Sequence, residues 1–535
     1  MQKVGLARSA SVVSAATLAS RILGLAREII VLKMFGRHLT DAFYAAFRLP
    51  NTFRYLMGEG ALSAAFIPVF SDYLRNRSKR EAWELASAVM VSLMVVSGAV
   101  VILAMICAPW IVRLLLAGFS ADPEKFALTV SLTRWMFPYL IFVSLVALCM
   151  GILNSLQHFA VPALAQAAFN LTVILSTVFL APRWGARGQD RIFAVALGVL
   201  IGGVVQLGMQ IPVLRRKGFC LVVGKVWNHP ELRRIVRLII PALAGLAVYH
   251  VNLLIDNLFA SFLPEGSITY LFAANRLIQF PIGTFAIGIS TVAFPLMAGY
   301  AVAGDMARLK ETLNYALRLA FFITIPAAAG LIVLGRPIIQ LLYERGEFLL
   351  DRSTDPTYWA VLFYALGVFA VGGVSVVVRC YYSLEDTRTP VRIAAIAVTA
   401  NIILDYLLMG PLRHGGLALA TSIAQCINLG LLLWLLRQKI GRLGLRKIGA
   451  SVAKILLSTA IMALVAWVVF KAMSRVALGA GFMGKSARAF IPLCAGALGY
   501  LATAYTLKAP ELGELWQEFR QRRRFTQHHG SEVDT

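Results

Sequence analysis

Apolar runs long enough to cross a bilayer follow one another along nearly the whole chain, each ended by Gly, Pro or a cluster of charge. A helix of about 20 apolar residues spans the hydrocarbon. The runs predict fourteen helices, near 9–35, 41–73, 83–116, 126–155, 161–181, 191–214, 233–262, 268–300, 307–335, 357–384, 390–410, 415–437, 449–471 and 487–507. An even number puts both termini on one side. Lys and Arg gather in alternate connections: Arg75, Arg77, Lys79 and Arg80; the segment 215–237 with Arg215, Arg216 and Lys217; the segment 437–447; and the tail at Arg520, Arg522, Arg523 and Arg524. With the N-terminus inside, cytoplasmic basic residues outnumber the others by about two to one, as the positive-inside rule requires. The first run passes through Arg21, Arg27 and Glu28 without a cleavage site, so it is expected to remain as a span.

The pattern repeats. Pro109 and Gly118 recur as Pro337 and Gly346, and Ser155, Leu156 and Pro162 recur as Ser383, Leu384 and Pro390, all 228 residues on. Pro68 and Tyr73 recur as Pro295 and Tyr300 at 227. Six helices per period make the repeats parallel, related by an axis along the membrane normal. The expected organisation is an all-α polytopic membrane protein. Its parts are an N-terminal lobe (1–220), a C-terminal lobe (221–440), two appended helices (441–510) and a basic cytoplasmic tail (511–535). Two lobes around a cavity suit alternating access.

Composition supports the membrane reading. Of 535 residues, 59% are hydrophobic and 14% charged, against roughly 25% charged in soluble proteins. The net charge of +25 raises the question of nucleic acid. No RNP, zinc-finger or helix-turn-helix signal accompanies it, and basic connections match anionic headgroups instead. The six cysteines lie mostly in apolar runs without CxxC spacing, which argues against disulfides and zinc. The seven histidines are scattered, and no HExxH, GxSxG or Walker A sequence occurs. An enzyme is therefore not expected, and transport must draw on an ion gradient or the membrane potential.

Charges inside the spans carry the chemistry, because each costs free energy in hydrocarbon unless partnered or wetted. The first span holds Ser20, Arg21, Arg27 and Glu28, with the two arginines about 120° apart around the helix. The second holds Asp41, Arg48, Pro50, Asn51, Arg54 and Glu59, and the eighth holds Asn275, Arg276, Gln279 and Pro281. Local ion pairs could absorb Arg27 with Glu28 or Asp41, and Arg54 with Glu59. Arg276 has no acid beside it. Surplus guanidinium groups suit a diphosphate, which they bind bidentately. A second set, Asp256, Asn401, Asp405 and Thr421, offers only oxygen donors and suits Na⁺. The alternative is that Asp405 is solvated near Gly410 and Pro411 while Asp256 pairs with a distant arginine.

Segments 20–28 (SRILGLARE), 40–51 (TDAFYAAFRLPN), 58–68 (GEGALSAAFIP) and 274–281 (ANRLIQFP) resemble the MurJ (MviN) family. These are lipid II flippases of the multidrug/oligosaccharidyl-lipid/polysaccharide exporter superfamily. The resemblance runs from residue 1 to about 510. It implies a fourteen-helix fold that moves lipid II, a polyprenyl-diphosphate-linked disaccharide peptide, to the outer leaflet of the bacterial cytoplasmic membrane. It also implies a cationic cavity at Arg27, Arg54 and Arg276, with Ser20, Arg21, Asp41 and Glu59 in support. A sodium site seen in some members matches Asp256, Asn401, Asp405 and Thr421, and the last two helices match a groove for the lipid tail. Two departures stand out: some members carry acids at the positions of Asn275 and Gln279, and Asp at Glu28. Expected partners are lipid II, membrane lipids and cell-wall synthesis proteins, around a monomer that binds no nucleic acid. Rival readings are a multidrug or polysaccharide exporter, an enzyme acting on polyprenyl-phosphate lipids, and a scaffold in a cell-wall complex.

Overall fold

Nearly every described residue is helical, and no strand occurs among the described residues. The computed structural model describes residues 2–54, 62–185, 188–222, 229–476, 479 and 481–514. Glu59 and residues 515–535, most of the expected basic tail, lie outside these. Packing divides the chain into two units, Met1–Thr269 with Arg345–Asp351, and Tyr270–Glu344 with Arg352–Thr535. The sequence pattern puts the lobe boundary at 220, before the seventh span; packing groups that span with the first unit.

The first unit contains α1 (Gln2–Met34), α2 (Arg37–Arg54), α3 (Ser63–Asn76), α4 (Lys79–Ile106), α5 (Ala108–Leu115), α6 (Pro123–Met136), α7 (Tyr139–Ser155), α8 (Ala160–Leu175), α9 (Ile192–Arg216) and α10 (Pro230–Ser261). The helix α11 (Ser267–Pro281) begins in it and continues into the second unit. There follow α12 (Ile287–Val302), α13 (Met306–Leu342), α14 (Glu347–Leu350), which belongs to the first unit, α15 (Thr354–Ala365), α16 (Val368–Ser383), α17 (Arg388–Leu412), α18 (His414–Ile440), α19 (Leu445–Arg475) and α20 (Phe482–Thr506). Among the described residues ten helices are long and apolar enough to cross a membrane, or eleven with the bent pair α15–α16 taken as one span. Of the other three expected runs, 9–35 is helical through Met34, 41–73 wherever described, and 233–262 through Ser261.

Several expected runs are interrupted where backbone chemistry demands it. Pro109 lies in the first turn of α5, just past a break at Cys107, and Pro138 separates α6 from α7. Proline has no N–H to give the preceding turn, so it starts helices more readily than it continues them. A π-turn at Ile282–Ala286 follows Pro281. Lipid exposure follows position: α4 turns Ile102, Leu103 and Ile106 outward at 62–68% exposure, whereas the apolar stretch of α6–α7 is 78% buried.

The 228-residue repeat is written into the backbone. At the end of α7 the His158 N–H reaches Leu153 O at 2.8 Å, and at the end of α16 the Asp386 N–H reaches Tyr381 O at 3.0 Å. Both turns are Schellman closures with a left-handed residue, Gln157 (φ 59°) and Glu385 (φ 58°). Asp386 then opens α17 by accepting from the Thr389 N–H and hydroxyl, and from Lys439 Nζ at 2.6 Å. Burial opposes ionisation of Asp386, but these bonds outweigh it and bring its carboxyl down to about 2. The glycine landmarks have a steric reason as well. A Cβ on Gly118 would sit 2.2 Å from Ser261 O, and one on Gly346 (φ 52°) would sit 2.2 Å from Lys33 O. Lys33 and Ser261 are themselves 228 apart, so the two contacts are images of one another.

Within the first unit Asp41 meets Thr269, 228 residues on. The Asp41 carboxylate is 2% exposed. It accepts from Lys125 Nζ (2.9 Å), Gly266 N–H (2.7 Å), Thr269 N–H (2.8 Å) and the Thr269 hydroxyl (2.7 Å). It therefore holds the N-terminal turn of α11, where orphan N–H groups and the helix dipole favour an anion.

In the second unit, α19 and α20 clamp onto α13. The Tyr500 hydroxyl donates to Phe322 O at 2.7 Å. Arg318 pairs with Glu511, which is fully buried, and with Glu514, each at 2.9 Å, while Ser451 donates to Glu511 at 2.5 Å.

Replacing Asp41 by Ala strands Lys125 in a buried site, so the loss should approach the 3–5 kcal/mol typical of a broken buried pair. Thr269→Val removes the hydroxyl's bonds to the Asp41 carboxylate and to Thr40 and should cost about 2 kcal/mol, the range for a hydrogen bond to a charged group. Thermal unfolding in detergent checks both; equal, small shifts would show that the Asp41 cluster contributes little.

Candidate functional site

The first unit carries two polar centres between apolar helices. At the first, Arg27 and Glu28 form an ion pair on α1, with side chains 15% and 2% exposed. The Arg27 guanidinium also donates to Asn170 Oδ1 on α8 at 3.2 Å. Asn170 in turn donates to the carbonyl of Ser20 at 3.0 Å, so one side chain of α8 ties α1 at both Ser20 and Arg27. Glu28 accepts a second bond, from the Tyr44 hydroxyl of α2 at 2.7 Å. Phe43, Tyr44 and Phe47 line a narrow cavity into which Arg27 and Glu28 face. The local pairing of Arg27 with Glu28 anticipated from sequence is thus present, and Asp41 is taken instead by Lys125 and the start of α11.

At the second centre, Arg54 is 8% exposed and donates from Nε to Asn51 Oδ1, one turn back, at 2.9 Å. Its cavity is walled by α7, α8 and α9 and includes Gln166, Gln206 and Gln210. Arg48, on the same helix, reaches the Leu253 carbonyl of α10 at 3.5 Å. Ser20 is buried and Arg21 exposed.

The remaining expected residues divide between the units. Arg276 lies on α11 in the second unit, half-buried, with Asn275 half-buried and Gln279 exposed. Asp256 lies on α10 in the first unit and is contacted by Asn252 at 3.5 Å. Asn401, Asp405 and Thr421 lie in the second. Asn401 donates to Asp405 at 2.7 Å, and the two are 2% and 0% exposed. Asp405 is therefore not the solvated helix-end carboxylate that its nearness to Gly410 and Pro411 allows. Thr421 donates to Leu417 O within its own helix at 3.0 Å. The donors of the second unit, Asn401, Asp405 and Thr421, are all oxygens, and one of them is a buried carboxylate.

Sequence reasoning missed Lys125, Tyr44, Asn170 and the glutamines of the second cavity. It also missed Arg379 of α16, which donates to the Ile287 carbonyl at 3.1 Å and to the Ser290 hydroxyl. Gln206 and Gln210 did leave a signal: two amides four residues apart inside an apolar run.

Comparison with known proteins bears on all of this. A family model described as lipid II flippase MurJ matches residues 30–485. A probable lipid II flippase MurJ of Vibrio cholerae is 36% identical over 437 residues, which is 80% of this chain and 82% of that protein. A lipid II flippase MurJ of Burkholderia cenocepacia is 31% identical over 451 residues, 83% of this chain and 85% of that one. Among solved structures, a lipid II flippase MurJ in an inward closed conformation superposes with a TM-score of 0.76 at 30% identity, covering 92% of this chain and 98% of that one. An inward-facing multidrug transporter of the MATE family and MOP superfamily superposes at 0.68 with 15% identity, over 81% of this chain and 98% of its own, a likeness of fold alone. The chain belongs to the lipid II flippase MurJ family of multi-pass membrane proteins.

Proposed function

We propose that this chain moves lipid II from the inner to the outer leaflet of the bacterial cytoplasmic membrane, by alternating access, for peptidoglycan synthesis. The observation that carries this reading is the pair of guanidinium groups, Arg27 partly buried and Arg54 buried, each facing a cavity between helices of the first unit. Arg276 adds a third inside a span. Arginine keeps its charge at any physiological pH, and its fork matches phosphate oxygens. Arg27 enters this chemistry already paired. A diphosphate that draws it from Glu28 leaves that carboxylate the Tyr44 hydroxyl as a partner, so neither side of the exchange strands a bare charge. Ser20 and Asn170 hold Arg27 in place, and Asp41 holds the start of α11. Exchange between anions of similar strength permits release, which a flippase needs as much as capture.

Na⁺ is the proposed coupling ion. Asn401, Asp405 and Thr421 are the donors that the second unit would supply, and Asp256 the one from the first. An ion held there adds charge balance for buried carboxylate. Both termini are placed in the cytoplasm by the Lys/Arg bias.

Arg27→Ala, Arg54→Ala and Arg276→Ala should each fail to sustain growth of a flippase-depleted bacterium while inserting normally, and Lys at these positions should rescue poorly. Normal growth with all three alanine variants would overturn the reading. A reporter fused at the C-terminus should be active only in the cytoplasm; periplasmic activity would overturn the proposed topology. At equal ionic strength, Na⁺ should raise the unfolding temperature of the purified protein above its value in K⁺, since a ligand stabilises the state that binds it. Asp405→Asn should erase that difference. No difference in the unmodified protein would leave the membrane potential as the drive.

A further inference from the structure

The cavity beside Arg54 is more polar than its surroundings need. Val143 and Val146 of α7 form part of its wall, and Gln166 of α8 with Gln206 and Gln210 of α9 bring three amides to the same space. Gln206 and Gln210 are 2% and 0% exposed and, four residues apart, share one face of their helix. The Gln206 amide donates to Gln166 Oε1 at 3.4 Å. Gln206 Oε1 and both polar atoms of Gln210 have no hydrogen-bond partner among the described residues. A buried amide without partners is unfavourable, and an aliphatic side chain would pack there at less cost. Amides kept in such a place imply a polar occupant.

The donors and acceptors define it. Arg54 carries a permanent charge and donors only, which on the flippase reading go to an anionic oxygen. The glutamines are neutral and offer both donors and acceptors, so they call for a neutral group that does the same, such as an acetamido or hydroxyl substituent. The two kinds of group must be close neighbours on one molecule, as they are where a sugar is joined to a phosphate. We infer that Gln206 and Gln210 form a subsite for the sugar next to the diphosphate. They recognise its acetamido or hydroxyl groups while Arg54 holds the phosphoryl oxygens. The inference rests on the flippase reading above and extends it from the anchor to the headgroup. It assigns discrimination between a sugar-bearing lipid and a bare lipid diphosphate to α9.

The test measures binding of two probes to the full-length purified protein: a polyprenyl diphosphate carrying one N-acetylated sugar, and the same polyprenyl diphosphate without sugar. Wild type should bind the sugar-bearing lipid more tightly. Gln210→Leu and Gln206→Leu should weaken that lipid about tenfold, the range for one or two neutral hydrogen bonds, and leave the bare lipid unchanged. Arg54→Ala should weaken both. Thermal unfolding checks that the leucine variants are folded, and Gln210→Asn, which keeps the amide but withdraws it, should act in the same direction. Leucine variants that bind both lipids like wild type would overturn the inference and make the cavity a water site. Equal weakening of both lipids would also overturn it, reducing the glutamines to supports for Arg54. Wild type binding both lipids equally would remove the sugar subsite and spare the diphosphate reading; wild type binding neither would remove both.

Discussion

One buried carboxylate draws distant stretches of the first unit together. Asp41 gathers an ammonium group from Lys125, the backbone N–H groups of Gly266 and Thr269, and the Thr269 hydroxyl. A carboxylate removed from water is tolerable only when its lone pairs are answered, and four donors answer them. The same constraint recurs wherever the chain places charge among apolar helices. Arg27 has Glu28 and Asn170, Glu28 has Tyr44 as well, and Glu511 has Arg318 and Ser451. Apart from the Arg27–Glu28 pair within α1, these answers tie separate segments together, so the charges that endanger a membrane helix also fix its neighbours.

This constraint separates what was legible in the sequence from what was not. Span positions follow from local hydropathy, and helix ends from Pro and Gly. The repeat was visible through landmarks such as Ser155 and Ser383, because the turns behind them reuse the same backbone bonds. Partners were not visible, since nothing local links Lys125 to Asp41 across 84 residues or Asn170 to Arg27 across 143. Tyr44 lies only 16 residues from Glu28 but reaches it across a helix–helix turn. Pairing of Arg27 with Glu28 could be named because the two adjoin. The burial of Asp405 was not legible either, because its nearness to Gly410 and Pro411 in the sequence allows a solvated helix end.

The two arginine centres of the first unit differ in kind. Arg27 is answered by an acid, so a phosphate must compete for it. Arg54 donates to the neutral Asn51 and shares its cavity with three amides.

The most direct test is leaflet-resolved movement of labelled lipid II in vesicles that contain only this protein. Lipid loaded into one leaflet should become accessible to an impermeant quencher in the other with wild-type protein, and should stay protected with Arg27→Ala or Arg54→Ala. Equal movement in the variants, or none with wild type under an imposed Na⁺ gradient and membrane potential, would contradict the role given to these arginines.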